Sequence, residues 1–358
     1  MRLLRTVHAW GGATLALLML LVSFTGALLV WRLDYVRLMI PEARVQYQPT
    51  VESLAAITQS VETHFGADNL RQIDYPTTVF PLARVTLSES RYSYVDVHGK
   101  VVAQWTGNGR WEELLYDLHH RLLLENLGLT IVGYAALGMI VLLLAGIFTF
   151  WPMRRGFSAG FWPKGAAVRH LRSAHRNIGI VVALPLLLSL VTGAILAFPD
   201  QSQRLLLEPL RPDNYGESFG EHLDTISGPG TGDWLPALQR ASRAFPGAAI
   251  RSAQFANSQS DTRIIGLQQP GELSPQGLNK VYIEAREGYM DVRIDNQSLP
   301  FHERAFNAAY PLHTARFDNL GYKLLMTASG LLVAFISVLG LLGFVKSLRS
   351  GQDPRPSI

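Results

Sequence analysis

Four stretches of the chain carry almost no charge: residues 9–31, 127–151, 178–198 and 320–345. At about 1.5 Å per residue, each is long enough as a helix to cross a hydrocarbon layer of about 30 Å. Helix is the expected form because unpaired backbone groups cannot be left in lipid. With flanking residues, the pattern predicts transmembrane helices at 1–33, 126–152, 175–198 and 319–346, and Pro185 predicts a kink in the third. Between them, 34–125 and 199–318 change to shorter periods. Thr50 opens a helix to Phe65 with Val51, Leu54, Ala55, Val61 and Phe65 on one face, and β-rich runs follow at 70–75, 82–87, 92–97 and 101–105. The second segment repeats the order, with a helix at 234–245 and strands near 250–255, 263–267, 280–285 and 289–292. The expected fold is an α-helical membrane protein: four transmembrane helices in a two-fold tandem repeat, with two small α+β external domains, each one helix on an antiparallel sheet.

Charge sets the orientation. The connection 153–174 holds Arg154, Arg155, Lys164, Arg169 and Arg172 without an acid, while Arg2, Arg5, Lys346 and Arg349 flank the termini. The positive-inside rule puts these, and the tail 347–358, in the cytoplasm. Of 28 acidic residues, 27 fall in the two long segments, which are therefore external and, in a bacterial inner membrane, periplasmic. The basic balance is membrane anchoring rather than nucleic-acid binding. The first span has the look of a signal peptide, but an internal copy at 175–198 makes both retained spans.

The chain has no cysteine, which excludes structural disulfides, thiolate-held iron–sulfur or zinc sites and covalent haem attachment. The glycine-rich run 228–232 follows no strand and reads as a linker rather than a phosphate loop. Without a nucleotide-binding domain, electrons for any redox chemistry must come from another molecule.

The candidate chemistry lies in histidines. His8 precedes Gly12 by four residues and Thr25-Gly26 by seventeen, and His175 stands in the same relation to Gly179 and Thr192-Gly193, an offset of 167 residues. The second helix of each pair also begins beside histidine: Leu118-His119-His120 before Asn126-Leu127-Gly128, and Leu312-His313 before Asn319-Leu320-Gly321. Two layers of imidazole are expected, His8 with His175 and His313 with either His119 or His120. Aligning the Asn-Leu-Gly elements selects His120, whereas the Leu-His pair selects His119, the preferred reading. Adjacent helical residues point about 100° apart, so only one can face the bundle centre. His170, about 140° from His175, is a reserve candidate. His8 and Trp31 are 23 residues apart, about 35 Å of helix, which puts the layers far from each other. Gly11, Gly12, Gly26, Gly133, Gly138, Gly146, Gly179, Gly193, Gly330 and Gly340 let helices or a flat ring approach closely, and most read as packing residues. Trp10, Trp31, Phe148, Phe150 and Trp151 read as interfacial belt residues that could also relay electrons.

The chain resembles the family of membrane proteins that pair PepSY domains with PepSY-associated transmembrane helices. The resemblance runs over essentially the full length and rests on His8 to Gly12 with Thr25-Gly26-Ala27-Leu28-Leu29, Leu118-His119 with Leu122 and Gly128, Trp151-Pro152, and His175 to Gly179 with Thr192-Gly193-Ala194. Within the family it is similar to inner-membrane ferrioxamine-type siderophore reductases. That similarity implies one or two non-covalent haem b groups and axial ligation by His8, His175, His119 and His313. It also implies electron flow from a quinol or a cytoplasmic reductase to a ferric siderophore. Arg5 and Arg172, one turn before His8 and His175, could pair with haem propionates or simply anchor at the membrane. The residues alone leave haem or bare metal open. The competing function is a non-redox metal permease or a PepSY scaffold for a peptide or protein partner, and the absence of carboxylates from all four spans counts against a permease.

Overall fold

The computed structural model describes residues 2–157, 160–211, 225–226, 233–255, 262–284 and 291–351. In chain order the elements are α1 (Arg2–Leu29), α2 (Arg32–Met39), α3 (Val51–Phe65), β1 (Leu70–Asp74), β2 (Ala83–Leu87), β3 (Arg91–Val95), β4 (Val101–Thr106), α4 (Trp111–Arg121), α5 (Glu125–Phe150), α6 (Val168–Val181), α7 (Ala183–Ala197) and α8 (Pro199–Leu206). They continue as β5 (Thr225–Ile226), α9 (Trp234–Ala244), β6 (Ala249–Gln254), β7 (Thr262–Gln268), β8 (Asn279–Glu284), β9 (Asp291–Ile294), α10 (Phe301–Asn307), α11 (Ala309–Thr314) and α12 (Leu320–Arg349). The linker at 228–232 and His222 lie outside the described residues. The elements form two compact units, one of residues 1–31, 114–202 and 312–358, the other of 32–113 and 203–311.

The first unit is helical. α1, α5 with its short extension to Arg155, and α12 are each long and apolar enough to span a membrane, and α6 with α7 passes the same test as a pair bent by 67°. The bend falls at Val182, three residues before Pro185. Proline has no N–H for the Val181 carbonyl and its ring crowds that turn, so the break belongs just upstream, as the sequence predicts. α6 begins at Val168, seven residues before the expected start of the third span. Met19, Leu171, Ile178, Leu186, Leu190, Val333, Ile336 and Leu339 pack in the interior. Leu17, Phe24, Leu127, Val141, Phe148 and Leu184 are exposed, which suits a lipid-facing surface.

Close helix approach has a steric signature. A Cβ at Gly330 of α12 would stand 2.9 Å from the Ser23 carbonyl oxygen and 3.0 Å from Ala27 Cβ of α1, so only hydrogen fits at this crossing. Between α4 and α5 the chain turns tightly. Leu122, Leu123 and Glu125 take left-handed backbone (φ 53°, 60° and 51°), whereas between α11 and α12 only Ala315 does so (φ 51°). Three residues, 122–124, join α4 to α5, and five, 315–319, join α11 to α12.

The second unit departs from two separate α+β domains. In each segment one helix, α3 or α9, packs on an antiparallel sheet, but the sheets join edge to edge into a single nine-stranded sheet of order β4-β3-β2-β1-β6-β7-β8-β9-β5. The seam pairs Gln72 with Gln254, Ile73 with Ala253 and Asp74 with Ser252. Pairing β1 with β6 satisfies two rows of backbone groups that separate domains would leave as open edges. α3 and α9 share one core: Leu54, Ile57, Val61, Ile73, Val85, Trp234, Leu238, Ile265, Leu267 and Ile283 are all in it. Thr50 and Ser53 close a reciprocal capping box at the start of α3. A smaller cluster of Val36, Ile40, Phe80, Leu82, Tyr94 and Trp105 packs α2 against β3 and β4. Beside it the nearly buried Glu113 carboxylate takes both Arg32 and Arg84.

Candidate functional site

All four expected histidines belong to the helical unit, and they meet in two pairs. His8 on α1 and His175 on α6 have ring centroids 6.0 Å apart at an interplanar angle of 77°. His119 on α4 and His313 on α11 have centroids 6.2 Å apart at 46°. Two imidazoles on opposite sides of one first-row metal, with metal–nitrogen bonds of about 2.0–2.1 Å and each centroid about 1.1 Å further out, stand about 6.3 Å apart. Both pairs have that spacing.

The same hydrogen bond orients every ring. His8 Nδ1 meets Leu142 O at 2.9 Å, His119 Nδ1 meets Val22 O at 2.9 Å, His175 Nδ1 meets Ile336 O at 2.9 Å and His313 Nδ1 meets Ser189 O at 3.1 Å. A carbonyl can only accept, so each Nδ1 carries the hydrogen and donates it. The lone pair then sits on Nε2, the arrangement that prepares a neutral histidine for a metal. None of the four Nε2 atoms has a hydrogen-bond partner among the described residues.

Four residues after each of those carbonyls is a glycine, on the same helix, and each glycine lies against an imidazole. A Cβ would stand 3.0 Å from His8 Cε1 at Gly146, 2.8 Å from His119 Cε1 at Gly26, 3.2 Å from His175 Cε1 at Gly340 and 3.0 Å from His313 Cε1 at Gly193. One helical turn thus supplies an acceptor and a flat slot for the ring. This is the feature that sequence reasoning missed by reading these glycines as general packing residues. A signal was present: Gly146 and Gly340 are 194 residues apart, the separation of His119 and His313, while Gly26 and Gly193 share the 167-residue offset of His8 and His175. Gly138 and Gly179 only meet aliphatic side chains and Gly12 meets nothing within 4 Å, so they do not belong to the cradles.

The geometry separates His119 from His120. The His120 ring lies beside Tyr116, at 5.3 Å between centroids, with its Nδ1 buried and unbonded, while His119 faces His313. The Asn-Leu-Gly alignment points to His120 because His119 stands seven residues before Asn126 whereas His313 stands six before Asn319. His170 is in neither pair; its Nε2 takes a hydrogen from Arg169 Nε at 3.3 Å. Arg172 Nη2 donates to Ser347 Oγ at 2.8 Å, and Arg5 lies near the start of α1. His64 and His98 are exposed on the sheet unit, and His302 lies on α10.

The layers are closer than the span ends suggest. The His119 ring reaches back to Val22 and Gly26 rather than sitting level with Trp31. Between His8 and that cradle lie 14 to 18 residues of α1, about 21–27 Å. Among the aromatic residues, Phe148 and Trp151 point outward, Trp10 packs on Phe344 at 5.0 Å, and Trp31 Nε1 donates to Thr327 Oγ1 at 2.9 Å.

No group of three or more His, Asp or Glu side chains that could hold a metal ion occurs among the described residues. Each pair therefore offers two nitrogen ligands and no carboxylate. A bare zinc or other divalent ion needs four or more donors, so this donor set suits a metal that brings its remaining ligands with it.

In comparisons with known proteins, the model of a family described as PepSY-associated TM region matches residues 5–347. A search of curated proteins returns no match.

Proposed function

The chain belongs to the PepSY-associated transmembrane family, and from that premise we propose that it is a haem b oxidoreductase of a bacterial inner membrane that delivers electrons to ferric siderophore iron in the periplasm. One observation carries the reading: two imidazole pairs at 6.0 and 6.2 Å, each ring held by Nδ1 with Nε2 left free. Haem would bring its own ring nitrogens, and the two histidines of a pair would hold its iron. Bound haem would supply one-electron redox chemistry at a potential set by axial ligands, their hydrogen bonds and burial.

His8 and His175 would hold one such group near the basic end of the bundle, and His119 and His313 a second toward its other end. The backbone carbonyls of Leu142, Val22, Ile336 and Ser189 fix the tautomer of each ligand. Gly146, Gly26, Gly340 and Gly193 let each ring lie flat against its neighbouring helix. Arg172, one turn from His175, and Arg5, in the same relation to His8, could pair with propionates. By the positive-inside rule the His8–His175 pair faces the cytoplasm, with both termini, and the sheet unit lies in the periplasm.

The electron balance is simple. A quinol releases two electrons and two protons and so serves two ferric ions; a cytoplasmic reductase supplies the same electrons singly. Hard oxygen donors hold ferric iron far more tightly than ferrous, so one electron per ion loosens it from a hydroxamate siderophore such as ferrioxamine.

Two measurements test the reading. Protein purified in detergent from haem-replete cells is expected to show a Soret band, an α band sharpened by dithionite and two haems per chain by pyridine haemochrome. A colourless preparation overturns it. With ferrioxamine added to the reduced protein, trapped ferrous iron above a free-haem control is expected. None above that control removes the reductase activity and leaves haem binding standing.

A further inference from the structure

The two imidazole pairs differ in one respect. At His119 and His313 a threonine hydroxyl joins the carbonyl at Nδ1: Thr25 Oγ1 lies 3.2 Å from His119 Nδ1, and Thr192 Oγ1 lies 3.1 Å from His313 Nδ1. Each threonine stands three residues after its cradle carbonyl. The same position in the other two cradles holds Ala145 and Leu339, which offer no polar side-chain atom.

The hydrogen directions follow from the neighbours. Val22 O and Ser189 O accept, so the Nδ1 hydrogens are on the rings. The hydroxyl hydrogens have their own acceptors one turn back, Leu21 O at 2.8 Å for Thr25 and Leu188 O at 2.7 Å for Thr192. Each hydroxyl therefore turns a lone pair toward Nδ1–H, and each ring shares its N–H between two oxygens. A second acceptor draws the N–H proton outward and leaves more electron density on the ring, which makes Nε2 a stronger donor. Stronger axial donation favours ferric over ferrous iron and lowers the reduction potential.

Resting on the haem reading above, we infer that Thr25 and Thr192 are positioning residues that lower the reduction potential of an iron held by His119 and His313, while that of an iron held by His8 and His175 is set without them. The direction suits the substrate class. Ferric iron in a hard oxygen cage resists reduction, so a low potential in the pair nearest to it supplies driving force. It also gives the Thr-Gly dipeptide of α1 and α7 two separate tasks, the hydroxyl for the N–H and the glycine for the ring.

The test is a potentiometric titration of the purified full-length protein, followed by optical and electron paramagnetic resonance spectra, for wild type, Thr25→Val, Thr192→Val and the double variant. Valine keeps the branched shape and removes the acceptor. One haem component is expected to shift upward, with the double variant favouring reduction on the order of tenfold, about 59 mV for one electron. The other component stays where it was, and Thr25→Ser with Thr192→Ser restores the first. Loss of one component in the valine variants with its return in the serine variants supports the same bond acting to hold the ligand. Unchanged potentials, equal shifts in both components, or serine variants that behave like valine overturn the inference and leave two-haem binding intact. A wild type without haem overturns the underlying reading instead.

Discussion

Replacing Gly26 with alanine adds one methyl group where the His119 ring already lies. The new Cβ would stand 2.8 Å from His119 Cε1 and 3.3 Å from Nδ1, whereas contacting carbons settle at about 3.5–4.0 Å. The ring must withdraw by about 0.7 Å or more. Its Nδ1 starts 2.9 Å from Val22 O, so an equal withdrawal takes that distance to about 3.6 Å, outside hydrogen-bond range. The lost bond is worth about 1 kcal/mol of stability, and a bond behind a metal ligand is worth about 10- to 100-fold in metal affinity. Gly12→Ala is the matched control: it lies on the same helix, a Cβ there meets nothing within 4 Å, and both changes carry the same helix-propensity gain of about 1 kcal/mol. The assay is haem per chain and the low-temperature α band of detergent-purified protein. Gly26→Ala is expected to lose or broaden one of two components, while Gly12→Ala keeps both. If Gly26→Ala retains full haem content and an unchanged α band, Gly26 is an ordinary packing glycine and the cradle has no role in holding His119.

Alanine at His8 or His175 is expected to remove one haem component and alanine at His119 or His313 the other, while His120→Ala keeps both; spectra of the five variants decide this. Glu113→Gln removes the carboxylate shared by Arg32 and Arg84 and is expected to destabilise the sheet unit by about 3 kcal/mol, the low end for a buried ion pair because Arg84 is 27% exposed. A fall in Tm measures it. Asn177, fully buried on α6, donates from Nδ2 to Gly160 O at 2.9 Å. Asn177→Ala is expected to cost about 1–3 kcal/mol and to speed tryptic cleavage at Lys164.

By itself the sequence determined the membrane-spanning helices, the helix-then-sheet order of both polar segments and the repeat of His8 in His175. Those features are periodic or compositional: charge-free runs of bilayer length, alternation along strands, and a fixed offset between like residues. Even the break near Pro185 follows from a missing N–H. Three features were decided only by tertiary structure. The union of two sheets through β1 and β6 depends on strand edges, and an edge carries no sequence mark of its partner. The Leu-His pattern already favoured His119, but that its ring meets His313 while the His120 ring lies beside Tyr116 depends on side-chain placement rather than residue spacing. The role of Gly26, Gly146, Gly193 and Gly340 depends on which ring arrives from another helix. A glycine that makes room for a helix and one that makes room for an imidazole are the same letter, and only the neighbour that fills the space tells them apart.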